Sequence, residues 1–222
     1  VCGRFTLIRL AEFTDLFPWI RGSDELAQPR YNIAPSQQVA AVLNEPDPRI
    51  DHLKWGLVPS WAKDPAIGNR LINARAETLS EKPSFRNAVR RRRCVIPADG
   101  FFEWKTESDG KTRTPHYVTV DNGRPFALAG LWETWRDPAG VQLRTCTIIT
   151  TAPNALMRRI HNRMPVILDE EAMRRWLVPG EHDPVRLQEL LVPYPSERMS
   201  ARVVSRRVNN PRYDAPDVLE ME

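Results

Sequence analysis

The most distinctive chemistry stands at the start of the chain, which reads Val1-Cys2-Gly3-Arg4-Phe5. With position 1 read as an initiator residue that is removed, Cys2 carries a thiol and a free α-amine on adjacent carbons. An α-amine titrates at about 7.7–8.0, against about 10.4 for lysine, so far more of it is neutral and nucleophilic near pH 7. An aldehyde condenses with such an amine to an imine, and the neighbouring thiol then closes a five-membered thiazolidine ring. No internal residue offers both groups in that geometry. Val1 fits a GTG start codon, which simple translation writes as valine. If Val1 stays, the amine sits on the wrong residue and only the thiol nucleophile remains. The other reading of Cys2 is a small buried hydrophobe. Gly3 beside it permits close approach of a substrate.

Three more side chains have types suited to such a reaction. His161 follows the basic pair Arg158-Arg159, and a free histidine titrates at about 6.5, apt for proton transfer. Taken alone it reads equally as a surface histidine. Glu103 lies between Phe102 and Trp104 on an expected strand. Facing inward, it would move protons in a dry site; facing outward, it is the polar position of an alternating strand. Asn73 donates and accepts hydrogen bonds without titrating, or caps a turn before Ala74. His52, His116 and His182 have no partners at metal-ligand spacing, and HExxH, P-loop and GxGxxG patterns do not occur. No metal, no nucleotide and no other cofactor is therefore expected. Cys2, Cys94 and Cys146 form no CxxC pair, which argues against a disulfide framework or a cysteine-based zinc site.

The elements that must position these groups are short. Twenty prolines are spread along the 222 residues, favouring short elements joined by shaped loops. Helical spacing covers 9–17, and 77–89 holds one or two short helices. Apolar or alternating runs predict strands at 39–43, 50–58, 94–98, 101–105, 117–120, 126–132, 143–150 and 201–205, with Asp99-Gly100 as a turn. Helices are expected at 155–160, 169–177 and 185–191. Many strands with peripheral helices indicate an α+β fold around a curved sheet or barrel. No apolar run approaches the ~18 residues of a membrane span, and a soluble, cytoplasmic protein is expected. The net charge is +4, and arginines cluster at 86–93, 158–163 and 202–207. Guanidinium forks suit phosphate, so these are either a polyanion surface or a solvated basic face.

Six blocks follow one another in order: Cys-Gly-Arg-Phe from Cys2, Tyr-Asn-Ile-Ala-Pro from Tyr31, Trp-Gly-Leu-Val-Pro-Ser-Trp from Trp55, Asn-Ala-Arg-Ala-Glu-Thr from Asn73, the run from Cys94 to Trp104, and His-Asn-Arg-Met-Pro-Val from His161. This set closely resembles the SOS-response-associated peptidase (SRAP) family. The resemblance runs from residue 2 to about 207 and implies one domain over 1–222, with a tail at 208–222 and a basic DNA-binding groove. It also implies the activity: capture of abasic sites in single-stranded DNA through a covalent link between Cys2 and the ring-opened sugar aldehyde. On the same ground Cys2, Asn73, Glu103 and His161 would be catalytic. Arg4, Asn32, Pro35, Trp61, Arg75, Thr147, Thr150, Arg158 and Arg163 would contact the DNA. Single-strand binding generally combines basic groups with flat surfaces on which bases stack. The expected partner is single-stranded DNA with abasic sites, met by a monomer that becomes nucleoid-associated on binding. The competing functions are a cysteine-type peptidase, acting on itself or on other proteins, an amidohydrolase with an N-terminal nucleophile, and a non-catalytic binder of damaged or modified DNA.

Overall fold

Strands of two to eleven residues dominate the chain, as its proline-punctuated apolar runs require. A computed structural model describes residues 2–22, 28–180 and 182–221. In chain order the strands are β1 (Phe5–Leu7), β2 (Arg30–Ile33), β3 (Gln38–Leu43), β4 (Ile50–Trp55), β5 (Asn73–Arg75), β6 (Arg93–Ala98), β7 (Gly100–Thr106), β8 (Arg113–Val120), β9 (Phe126–Arg136), β10 (Gln142–Thr151), β11 (Met164–Pro165), β12 (Ile167–Leu168) and β13 (Met199–Val203). The α-helices are α1 (Leu10–Leu16), α2 (Arg86–Arg91), α3 (Glu170–Trp176) and α4 (Pro184–Gln188). The α+β expectation with a barrel core holds. None of these helices is long and apolar enough to cross a membrane, among the described residues.

Strands β10, β4, β3, β6 and β9 pair in sequence, and β9 pairs back onto β10, closing a five-strand barrel. Closure removes the open edges that would otherwise invite pairing. All six residues of β6 are buried, which is why that strand reads as an unbroken apolar run: one face lines the barrel and the other lies under helices. Gly130 permits the close approach of β9 and β10. A Cβ there would come within 2.8 Å of the Thr147 carbonyl oxygen and 3.0 Å of Cys94 Sγ.

Beyond Gly130, β9 and β10 part, and residues 164–168 fill the gap. Thr150 pairs with Pro165 and Leu128 with Ile167, while the Val166 N–H donates to the Ile149 carbonyl. On its other edge β10 exchanges β4 for β5, aligning Ile148 with Asn73. The last turn of β10 is thus flanked by Asn73 on one side and, on the other, by the segment that follows His161.

The second sheet has the order β13-β8-β7-β1-β2. It packs on the barrel through β1, where the Phe5 ring lies 5.3 Å from that of Trp55. The Asp99-Gly100 pair expected as a turn is not a reversal. The chain passes there from β6 of the barrel straight into β7 of the second sheet. The Asp99 carboxylate holds this crossing, accepting the N–H groups of Ile8 and Arg9 and the Thr6 hydroxyl. Gly100 is required, since a Cβ would meet the Tyr117 ring at 2.2 Å.

Other expectations need trimming. The helix expected at 155–160 is only a 3₁₀ turn at Met157–Arg159, and the one at 185–191 shortens to α4, capped by Asp183. Asn73 begins a strand instead of capping a turn. The segment expected as a tail after 207 is packed: Val208 and Val218 are fully buried.

Candidate functional site

Cys2 precedes β1 and Glu103 lies in β7, and the antiparallel pairing of these strands brings the two together. The main-chain nitrogen of Cys2 donates to Glu103 Oε1 at 2.5 Å. Cys2 is 0% exposed and Glu103 2% exposed, so Glu103 faces inward. A buried carboxylate is tolerated only when it is hydrogen-bonded, and Cys2 supplies that bond. Burial pushes the Cys2 thiol well above its ordinary pKa, and the adjacent Glu103 adds to the rise. The sulfur is therefore held as a thiol. Cys2 also sits at φ +31°, a left-handed setting that an L-residue adopts only at a cost of about 1–2 kcal/mol.

Asn73 reaches the same place from the barrel side. Its Nδ2 lies 3.5 Å from the carbonyl oxygens of both Cys2 and Ile148. Cys2, Glu103 and Asn73 thus form one hydrogen-bonded group drawn from both sheets. His161 stands apart from it in bonding. Among the described residues no hydrogen bond joins it to Cys2, Glu103 or Asn73. Its Nδ1 accepts the Arg163 N–H at 3.1 Å, which assigns the ring proton of neutral His161 to Nε2. The ring is half-buried, three positions before β11.

The expected DNA contacts divide. Trp61 is 57% exposed, and Arg75 and Arg158 are exposed as well. Pro35 is half-buried. Arg4 is half-buried, with Nη1 on the Val208 carbonyl and on Asn32 Oδ1. Thr147 and Thr150 are buried in β10, so only a group entering the interior could reach them. The Thr147 hydroxyl has no hydrogen-bond partner among the described residues, and that of Thr150 accepts from Arg163.

Two of the expected contacts have partners within the fold. Asn32 is fully buried, and its amide donates to the carbonyls of Val208, Asn210 and Tyr213. It fastens the C-terminal segment. Arg163 closes its fork on the Glu77 carboxylate at 2.7 and 2.9 Å and also donates to Thr150. It holds the His161 loop against the Asn73–Thr78 segment instead of presenting a free guanidinium.

Sequence reasoning missed the C-terminal contribution. Val208 packs with Phe102, Tyr117 and Val218 beneath β7, and its carbonyl anchors Arg4. A valine after a basic run carries no local signal of this. The Asp99–Thr6–Tyr117 network was hidden for the same reason: the bonds from Thr6 span 93 and 111 positions, and hydrogen-bonded polar groups of this kind are read only from the fold. Burial pushes the Tyr117 phenol up to about 12, so it stays protonated and can donate.

The sequence profile described as SOS response associated peptidase (SRAP) matches residues 1–211. A Bacillus subtilis protein named abasic site processing protein YoqW is 48% identical, with 99% of each chain covered. The abasic site processing protein HMCES of Xenopus tropicalis is 31% identical, covering 90% of this chain and 68% of that protein. A crystal structure of a protein from Bacteroides thetaiotaomicron superposes with a TM-score of 0.88 at 28% identity, covering both chains completely.

Proposed function

The chain belongs to the SRAP family, and we propose that it processes abasic sites in single-stranded DNA by bonding Cys2 covalently to the exposed sugar aldehyde. The observation that carries this reading is the Cys2 nitrogen held on the Glu103 carboxylate, both of them buried. That nitrogen is an amide while Val1 precedes it and becomes an amine once the preceding residue is removed. The same carboxylate then accepts its proton.

The steps follow from the protonation states. An abasic sugar is mostly a closed hemiacetal; as its C1–O ring bond breaks, His161 in its imidazolium form gives a proton from Nε2 to the ring oxygen while the anomeric hydroxyl gives its proton to water, leaving the aldehyde. The Cys2 amine attacks the aldehyde carbon, and its proton passes to Glu103. Glu103 returns a proton as the carbinolamine loses water, leaving an imine. The Cys2 thiol adds to the imine carbon and its proton moves to the nitrogen, closing the thiazolidine. The overall change is aldehyde plus cysteine giving thiazolidine plus one water. Because burial keeps the sulfur protonated, the amine attacks first. Asn73, near the Cys2 carbonyl, restrains that residue throughout. Encounter rests on phosphate contacts and weakens as salt rises, whereas the covalent product does not.

The test begins with the intact mass of untagged protein, which establishes whether Cys2 is terminal. A single strand with one abasic site is then mixed with wild type and with Cys2→Ala and run on a denaturing gel. A slow band for wild type alone is expected. Its absence from protein with a free Cys2, or its persistence in Cys2→Ala, overturns the proposal.

A further inference from the structure

His116 takes no part in the chemistry above, yet it is the residue of β8 directly opposite Glu103. Opposed residues of an antiparallel pair point to the same face, as do residues two apart on one strand. Glu103, Lys105 and His116 therefore share one face of the second sheet, and Ala201 of β13 continues it. Between this face and the 3₁₀ turn at Met157–Arg159 lies a cavity of about 380 Å³, lined by Lys105, His116, Leu156, Arg159, Ile160 and Ala201. It adjoins the reacting groups on two sides, through His116 opposite Glu103 and through Ile160, which precedes His161.

The charged groups here differ in what already engages them. Lys105 bonds Glu107 at 3.3 Å, and the Glu103 carboxylate holds the Cys2 nitrogen. His116 Nδ1 bonds the Thr114 carbonyl at 3.0 Å. A carbonyl only accepts, so the hydrogen sits on Nδ1 and Nε2 is left for a ligand. Arg159 is exposed, and its guanidinium makes no hydrogen bond, ion pair or ring contact among the described residues. No acid is among the cavity walls.

We propose that this cavity is a subsite for a backbone phosphate next to the abasic sugar, gripped by Arg159. The inference rests on the proposed function for the identity of the strand and on the cavity itself for its chemistry. A guanidinium fork offers a phosphate two parallel donors. An anion seated beside His116 also favours the imidazolium, whose Nε2–H then donates. The phosphates flanking a nucleotide are the charges nearest its sugar, so an anion site beside Glu103 and His161 meets one of these two before any other. Leu156, Ile160 and Ala201 offer the strand apolar contact only, and the subsite adds affinity without reading a base.

The test uses strands with a tetrahydrofuran abasic analogue, which has no aldehyde and reports binding alone. One strand is all phosphate. In two others a neutral methylphosphonate replaces the phosphate on the 5′ or on the 3′ side of the lesion. Wild type should bind one of the two neutral strands about tenfold more weakly than the all-phosphate strand. Arg159→Gln, shown by thermal melting to fold, should lose about tenfold on the all-phosphate strand and nothing further on that neutral one. Arg159→Lys should recover part of the loss, since the charge remains. With reactive abasic DNA at saturation, Arg159→Gln should capture at the wild-type rate. An Arg159→Gln affinity equal to wild type, or an equal loss on all three strands, overturns the proposal. If wild type captures no reactive strand while the coupling appears on the analogue, the proposed function fails and the subsite stands.

Discussion

The Cys2 nitrogen and Glu103 Oε1 are 2.5 Å apart although 101 positions separate them in sequence. The contact exists because β1 and β7 are antiparallel neighbours, with Phe5 opposite Phe101. It leaves the Glu103 carboxylate able to take a proton from the group that attacks. Glu103→Gln keeps the shape and removes the base, so capture of abasic DNA should slow by about 10²–10⁴-fold. Rates read from denaturing gels at saturating DNA check this. A wild-type rate would remove Glu103 from the proton path.

Arg93 should matter for stability and not for DNA. Its guanidinium is buried and donates to the carbonyls of Val89, Arg90, Trp176 and Val178, tying the ends of α2 and α3 to the barrel. Burial lowers its pKa to about 10, and it stays charged at neutral pH. Arg93→Lys cannot reproduce the fork and strands several buried carbonyls at about 1–3 kcal/mol each. Urea denaturation should show a loss of about 3 kcal/mol or more, with DNA affinity of the folded fraction unchanged.

Asn32→Ala should release the C-terminal segment. The Tyr213 carbonyl loses its donor, while those of Val208 and Asn210 keep Arg4 and the Tyr213 N–H, a destabilisation of about 1–3 kcal/mol. Limited proteolysis should then cut within 208–219, where wild type resists. If DNA affinity fell while protease resistance stayed intact, the anchoring role would be wrong.

Gly100→Ala drives a Cβ into the Tyr117 ring. The clash falls on the tip of a buried ring, so relief requires repacking that side chain, and the loss should be about 1–3 kcal/mol. Adding Tyr117→Leu to Gly100→Ala should recover part of it, read as thermal midpoints of the single and double variants.

The Arg163 bond holds the Glu77 carboxyl below its ordinary range, despite an opposing effect of burial. A depressed folded pKa contributes stability above the unfolded value of about 4.3, and that contribution disappears as pH falls through the folded value. Glu77 is half exposed, so the effect is small. The acid-side fall of the thermal midpoint should be shallower in Glu77→Gln than in wild type, and identical slopes would contradict the assignment.

Local pattern determined much of the architecture. The apolar runs at 39–43, 94–98, 126–132 and 143–150 all became barrel strands, because burial on both faces leaves a near-continuous apolar stretch that the sequence displays. The motif blocks likewise located Cys2, Asn73 and Glu103 before their contacts were known. What the sequence could not display were relations between segments. The pair Asp99-Gly100 has turn chemistry locally, yet the Ile8, Arg9 and Thr6 donors make it the crossing from one sheet to the other. Asn32 and Arg163, expected as DNA contacts, bond partners far along the chain, at 208–213 and at Glu77. A side chain's type fixes which bonds it can make. Only the packed fold decides which partner arrives first, because burial leaves a polar group no water to fall back on.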